Sequence, residues 1–392
     1  MAPLAATVYE LERLRCNLCG QVFTAPPAAG VGAAKYDETA AGMVGLLKYG
    51  AGLPFNRIAK LQKAMGIPLP AATAWQLVHR AAGLMLPAYH RLIEEAAQGQ
   101  VLHNDDTTMK VLELCGERQS DGAEDQHSKQ RTGVFTSAVV AHANGHRIAL
   151  FFTGRKHAGE NLTELLAHRA AELSSPIQMC DALSRNVPAE LKTVLANCLT
   201  HARRRFVEVA PRFPDECRYI LETLREVYAN DAISRSRAMC AEGRLHFHQT
   251  ESGPLMEALQ LWLGEQIEKH NVEPNSGLGE AIGYMRKHWR KLTLFLRVAG
   301  APLDNNICER ALKKAILHRK NALFYKTLNG ARVGDAFMSL IHPAELGGVD
   351  PFPYLVALQR HHRKVAENPS AWMPWNYTQT LARLPCGSDP SP

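Results

Sequence analysis

The sequence predicts an α/β protein: a mixed sheet with an all-helical block inserted into it and helical regions at both ends. Three observations carry this. Short apolar runs with strand character cluster between residues 99 and 182. The stretch from Pro214 to Leu296 has helical spacing and no strand-like alternation. Helical periodicity also fills residues 38–97 and returns after residue 300. At 392 residues the chain can build two or three domains around substantial cores. Its 46% hydrophobic and 21% charged residues are an ordinary globular balance. No apolar run is long enough to span a bilayer, and Met1–Cys16 lacks an apolar core of signal-peptide length. A cytoplasmic protein without membrane partners is the expectation.

Residues 1–30 hold Cys16-Asn-Leu-Cys19 followed by Ala25-Pro26-Pro27, a small knuckle and a linker. The CxxC has metal-ligand spacing, but a structural Zn²⁺ takes four ligands and no second pair stands nearby. Cys16 and Cys19 are therefore a partial Zn²⁺ site, half of a zinc ribbon. The nine cysteines follow no disulfide rhythm, and the odd number fits a reducing compartment. In residues 31–97 two helical patterns, Pro54–Met65 and Ala71–Ala82, flank a turn at Gly66. That spacing suits a helix–turn–helix lying against a DNA groove, with Arg57, Lys60, Lys63 and Arg80 as cations. Two helices with a glycine turn are equally an everyday structural pair.

Residues 98–213 carry the sheet. Val101–Leu114 (VLHNDDTTMKVLEL) is the first strand region, and alternation sends Asp105 and Asp106 to opposite faces. From these residues alone a solvated turn is a stronger reading than a metal or acid/base site. A polar loop over Gly116–Arg131 precedes two strands, Gly133–Ala141 and Arg147–Thr153, joined by His142-Ala-Asn144-Gly145, a hairpin signal. A helix over Asn161–Leu173 leads to a short buried strand, Ile177–Cys180, ending at Asp181. Val187–Leu195 and Ala202–Val209 have helical spacing. Residues 214–300 form the all-helical insertion, including Arg218–Asn230, Leu255–His270 and Leu278–Leu296. In residues 301–345 a helix opens behind Asp304 as N-cap and bears Glu309 in its first turns, and Pro343 is expected to break a later helix. Residues 346–392 are shorter C-terminal helices and a frayed tail.

The formal charge of +7 is permissive of a polyanionic partner, and basic residues cluster at His201–Arg205, Met285–Lys291 and Lys313–Lys320. One such cluster is ordinarily a solvated face; three tilt towards nucleic acid. Three acids stand at element ends: Asp105 closing the first strand, Asp181 closing the fourth, and Glu309 on a late helix. Only folding could bring them together. Hard divalent cations take carboxylate oxygens, and Mg²⁺ keeps open positions for substrate phosphate.

Specific stretches sharpen the picture. They are Tyr9–Pro27, His103–Leu112 (HNDDTTMKVL), Cys198–Glu208 (CLTHARRRFVE), Asp304–Phe324 (DNNICERALKKAILHRKNALF), Asn329–Arg332 (NGAR) and Leu346–Leu355. Together they resemble the DDE transposases, and more closely the insertion sequence 66 family of bacterial transposases, over essentially the whole chain. The resemblance implies a ribonuclease-H-like core with catalytic, metal-binding acids at Asp105, Asp181 and Glu309. The helical block then lies between the second and third acids. It also implies Mg²⁺ as cofactor, with Mn²⁺ able to substitute. Arg310, Arg319, Lys320 and Arg332 become DNA-backbone contacts, transposon ends and target DNA become partners, and a homo-oligomer on DNA is expected. Asp105 is the ligand of the His-x-Asp pair, with Asp106 facing away and holding the strand end. Cys198-Leu-Thr-His201 is read as packing or orienting local structure. Two departures stand out: Asp181 is followed by Ala-Leu-Ser where the family commonly has Gly-Tyr, and Met1 lies only a few residues before the second half of the family's N-terminal region. The expected function is metal-dependent strand cleavage and strand transfer. The alternative is a truncated, non-transposing DNA-binding remnant or regulator of the same fold.

Overall fold

The computed structural model describes residues 4–29, 31, 35–115, 133–188 and 193–385. The expected Gly116–Arg131 loop and the last residues of the tail lie outside them. The chain forms two compact units, residues 1–91 with 317–392, and residues 92–316.

The first unit begins with a two-stranded antiparallel ribbon, β1 (Arg13–Arg15) and β2 (Val22–Thr24). Its tip carries Cys16 and Cys19. Gly20, at φ 74°, supplies the left-handed residue that closes the turn, and its N–H donates to Cys16 O at 2.9 Å. Backbone N–H groups of Cys19 and Leu18, with the Cys19 side chain, hold the Cys16 thiol below its ordinary pKa. Helix α1 (Glu38–Gly45) is capped by Asp37, whose carboxylate accepts from Ala40 N at 3.0 Å. Then come α2 (Phe55–Ala64), a turn through Gly66 at φ 78°, and α3 (Ala71–Ala97), whose last six residues belong to the second unit. Arg57, Lys60, Lys63 and Arg80 are all exposed on α2 and α3.

The second unit is built on a five-stranded mixed sheet in the order β5-β4-β3-β6-β7. β3 (Val101–Thr108) lies at its centre, antiparallel to β4 (Phe135–Ala143) and parallel to β6 (Ile177–Cys180). β5 (His146–Gly154) pairs with β4 through a two-residue turn at Asn144 and Gly145, whose φ values of 50° and 79° give the mirror-image turn that matches strand twist. β7 (Val194–Asn197) runs parallel to β6 on the far edge. Two short pieces depart from expectation here. The segment after Thr108 leaves the sheet and forms α4 (Leu112–Cys115), and the helix after β5 is α5 (Ala158–Leu166), shorter than Asn161–Leu173. Of Val187–Leu195, which has helical spacing, the described residues 187, 188 and 193 are irregular, behind a 3₁₀ turn at Ser184–Asn186, and Val194 and Leu195 open the strand β7. Four buried or half-buried residues beside a single parallel neighbour are too few to display a period.

α6 (Leu199–Val209) follows β7 and buries Leu199, Ala202 and Phe206. These join a core shared with Ile177, Met179 and Ala196 of the sheet and with the helical block α7 (Pro214–Ser236), α8 (Ala241–Glu251), α9 (Gly253–Glu268) and α10 (Gly277–Leu292). Burying each such large side chain stabilises by roughly 1.5–3 kcal/mol. The block has its own polar anchor. The Asp231 side chain is 1% exposed and pairs with Arg235, Arg244 and, at 3.3 Å, His248 Nε2. Burial works to raise its pKa, but the His248 hydrogen bond and the two guanidinium groups outweigh it and hold the carboxyl below its ordinary value. A depressed pKa contributes stability above the unfolded value of about 3.9, lost as pH falls through the folded value. Asp231→Asn should therefore cost about 1–3 kcal/mol at pH 7, because it removes the charge faced by the buried His248 and the partly exposed Arg244, while the largely exposed Arg235 turns to water. Urea unfolding should show that gap closing below about pH 4; a gap constant with pH would refute the role of its charge.

α11 (Asn306–Ala322) crosses the division between the units, and α12 (Leu328–Leu346), α13 (Pro351–Arg360), α14 (His362–Glu367) and α15 (Tyr377–Ala382) complete the first. Pro343 does not break its helix. It lies in the last turn of α12, where a missing N–H costs a single bond and its own carbonyl still accepts from Gly347 N at 3.0 Å. In the first unit α12 stacks Phe337 on Tyr49, with ring centroids 5.2 Å apart.

Candidate active site

Asp105, Asp181 and Glu309 converge. Asp105 sits within β3, which runs on to Thr108, so it does not close the strand as expected. Asp181 follows the last residue of β6 directly, and because β3 and β6 are parallel both acids lie towards carboxyl ends of neighbouring strands. Glu309 stands in the first turn of α11. The link between the first two is a residue that no motif signals. Asn186 Nδ2 donates to Asp181 Oδ1 at 2.5 Å and to Asp105 Oδ1 at 3.5 Å. Burial, opposed by an N–H hydrogen bond from Asp106 and reinforced by the charges of Asp181, Asp106 and Glu309, pushes the Asp105 carboxyl up to about 7. Three carboxylates thus share one partly desolvated neighbourhood.

Glu309 is placed by the residues just before it. Asn305 is fully buried: its Nδ2 donates to Asn104 O at 3.1 Å, its Oδ1 accepts from His103 Nδ1 at 3.1 Å, and its N–H donates to Cys198 Sγ at 3.3 Å. One side chain therefore ties β3 to the start of α11. Asp304 stands one residue ahead of the cap, and its carboxylate accepts from Asn306 N at 3.1 Å and Asn306 Nδ2 at 2.8 Å. His103 is held neutral: burial, with His142 beside it, pushes its pKa down to about 3 despite the Asn305 bond. It belongs to the scaffold.

Asp106 points to the other side of β3. Its side chain is 1% exposed, accepts from His157 Nδ1 at 2.8 Å and pairs with Arg185 at 3.3 Å. Arg185 neighbours Asn186 in the 3₁₀ turn, so the second aspartate braces the turn that joins the first aspartate to Asp181.

Three buried thiols, Cys180, Cys198 and Cys308, flank the acids, and burial pushes each one's pKa upward, Cys198 to about 11. Beside Asp181 opens a cleft of about 330 Å³ lined by His201, Arg204, Arg205, Glu208 and Tyr284. A second, of about 480 Å³, is lined by Asp181, Asn197, His288 and Lys291. The HARRR and MRKHWRK clusters thus meet beside one acid, with the Arg205 guanidinium 4.0 Å from the Tyr284 ring centroid. Of the other cations marked in the sequence, Arg310 is exposed next to Glu309. Arg319, Lys320 and Arg332 belong to the other compact unit, and Lys320 and Arg332 are exposed there.

The donor set suits a hard divalent cation. Its atoms are carboxylate oxygens, and Glu309 Oε1, Asn186 Oδ1 and Asn197 Oδ1 are buried without a hydrogen-bond partner. Positive charge among them would satisfy orphaned acceptors and offset the crowding at Asp105.

Among curated proteins the chain is similar to several from Sinorhizobium fredii. It is 28% identical to uncharacterized protein y4jD over 383 residues, covering 93% of this chain and 71% of that one. It is 25% identical to uncharacterized protein y4hP over 405 residues, covering 95% and 68%. The family model described as Transposase IS66 family matches residues 35–333, well over half of the chain, and the chain belongs to that family.

Proposed function

We propose that this chain is a DDE transposase that cleaves DNA at the ends of its element and joins them to target DNA. The observation that carries the reading is the gathering of Asp105, Asp181 and Glu309, joined through Asn186 and the Asn305 tether. The strand order, three antiparallel strands continued by two parallel ones with acids on the parallel members, supports a ribonuclease-H-like core. In cleavage, a water oxygen bonds to phosphorus and the P–O3′ bond breaks, leaving a 3′-hydroxyl. In joining, that hydroxyl oxygen attacks a target phosphodiester and releases the target's own 3′-hydroxyl. Mg²⁺, or Mn²⁺ in its place, would be held by Asp105, Asp181 and Glu309 and would supply Lewis acidity to the phosphate and its attacking oxygen.

The chain's own side chains do the rest. Arg204, Arg205 and Lys291 line the clefts beside Asp181 and would hold the strand by its phosphates, as would Arg310. Arg319, Lys320 and Arg332, and the exposed cations of α2 and α3, would hold DNA through the other unit. The Cys16–Cys19 tip is half of a zinc knuckle. Because two element ends must be processed together, the active form would be a homo-oligomer on DNA. Among the described residues no helix is long and apolar enough to cross a membrane.

The test is Mg²⁺-dependent nicking of DNA carrying the element's own ends, comparing the chain with Asp105→Ala and Glu309→Ala. Cleavage by the parent alone is expected. Equal cleavage by all three would refute the site.

A further inference from the structure

Cys198, His201 and Glu309 each offer one ligand atom, and the three atoms lie within 4.8 Å of one another. The local fold explains the grouping. β7 ends at Asn197 and α6 begins at Leu199, so Cys198 is the residue before the helix and His201 its third. Residues three apart at a helix start share a face. Asn305 N donates to Cys198 Sγ at 3.3 Å and Leu199 N to Leu303 O at 3.0 Å, which clamps the start of α6 to the start of α11. That clamp sets Glu309 Oε1 3.7 Å from His201 Nε2, beyond hydrogen-bond range. Glu309 Oε1 and His201 Nδ1 are both buried polar atoms without a hydrogen-bond partner. The His201 side chain is 26% exposed and lines the 330 Å³ cleft, which gives an ion a way in from solvent.

A thiolate, an imidazole and a carboxylate with an open fourth position form a typical zinc donor set. From Zn–S of about 2.3 Å and Zn–N or Zn–O of about 2.0–2.1 Å, tetrahedral ligand atoms stand about 3.3–3.6 Å apart. The His201–Glu309 pair is already close to that separation, and the sulfur, within 4.8 Å of both, needs to approach by no more than about an ångström. Mg²⁺ does not favour sulfur or imidazole. Glu309 therefore has two competing sets of partners: Asp105 and Asp181 with a hard ion, Cys198 and His201 with a softer one.

We propose that Cys198, His201 and Glu309 form a zinc site, completed by water from the cleft, and that zinc bound there draws Glu309 out of the carboxylate cluster and suppresses DNA cleavage. On binding, the Cys198 thiol gives its proton to solvent, its sulfur lone pair forms the S–Zn bond, and nothing is oxidised or reduced. The site stands on side-chain geometry alone; its inhibitory effect rests on the transposase reading.

The test uses the full chain carrying Cys16→Ser and Cys19→Ser, so that the N-terminal pair cannot contribute. The metal-free protein is titrated with Co²⁺, whose absorption reports sulfur ligation and tetrahedral geometry. One equivalent should bind with a near-ultraviolet sulfur-to-cobalt band, and Zn²⁺ should displace it. Cys198→Ser should remove that band. His201→Asn, at a partly exposed position, should weaken cobalt binding by more than the about 10–100-fold that changes in outer-shell partners cost. A band that survives Cys198→Ser, or unchanged affinity in His201→Asn, overturns the site. In Mg²⁺-dependent cleavage, added zinc should slow the parent and affect His201→Asn less; equal sensitivity overturns the inhibitory role. A parent that binds cobalt as expected yet cleaves no DNA counts against the transposase reading and leaves the zinc site standing.

Discussion

Replacing Asp105 with Asn should lower Mg²⁺-dependent DNA cleavage by about 10³-fold or more and at the same time raise the melting temperature of the metal-free protein. The two effects share one cause. Asp105 is mostly buried, and the negative charges of Asp181, Asp106 and Glu309 act on it together, so its ionised form is costly without a counterion. An amide keeps the shape and still accepts from Asp106 N, but it brings no charge to the cluster. Relief of about 1 kcal/mol would lift the melting point by about 2–4 °C for a unit of this size. The same loss of charge removes a ligand worth several kcal/mol of transition-state stabilisation, at tenfold in rate per about 1.4 kcal/mol. Mg²⁺ should stabilise the parent to heat through binding linkage and leave Asp105→Asn nearly unmoved. A variant that melts lower than the parent, or cleaves within tenfold of it, would show that Asp105 is a structural carboxylate.

Some of this architecture is legible in the residues and some is not, for physical reasons. The β4–β5 hairpin is legible because Asn144-Gly145 is a turn signal with one strong meaning, and long apolar runs flank it. The helical block is legible because its helices are long enough to repeat their period. β7 is hidden because Val194–Asn197 is four residues long and takes its strand identity from β6 beside it. Pro343 misleads because a rule for helix interiors meets a helix end. The sheet order follows from pairings between distant segments, which single-sequence periodicity does not carry.

The same division runs through the site. Asp105, Asp181 and Glu309 stand out by resemblance; position in the elements is a weak signal, and Asp105 lies within its strand rather than at its end. What brings them together is less visible: Asn305 stands in the DNNICER motif as a residue able to orient Glu309, but its partners do not show there, and Asn186 belongs to no motif. Asn305 acts through three hydrogen bonds to segments more than 100 residues away. Cys198 and His201 are recognisable as a spaced pair, but spacing cannot reveal that Glu309 completes them. The basic clusters HARRR and MRKHWRK look like separate solvated faces until α6 and α10 bring them to neighbouring clefts beside Asp181.

Asn186 is the sharpest case, and its removal should have the second largest effect. Its amide donates to both Asp105 and Asp181, and its backbone carbonyl accepts from Asn104 Nδ2 and Gln178 Nε2, each at 2.8 Å. The turn that carries it is pressed against α5, where a Cβ on Gly159 would stand 2.7 Å from the carbonyl oxygens of Arg185 and Val187. Arg185 adds the ion pair to Asp106. The side chain is thus held from behind and acts on the acids only through its amide. Asn186→Ala should leave the backbone bonds and the fold in place while letting two like charges separate. Outer-shell partners of metal ligands are worth about 10–100-fold in affinity or activity, so the Mg²⁺ concentration for half-maximal cleavage should rise by about that factor. Asn186→Asp should do worse, because it replaces the shared donor with a fourth carboxylate. A merely structural residue would lower the melting point and leave the Mg²⁺ dependence alone; unchanged half-saturation in a destabilised Asn186→Ala would assign Asn186 to the scaffold, whereas a shifted Mg²⁺ curve with an unshifted melting point assigns it to the geometry of the acids.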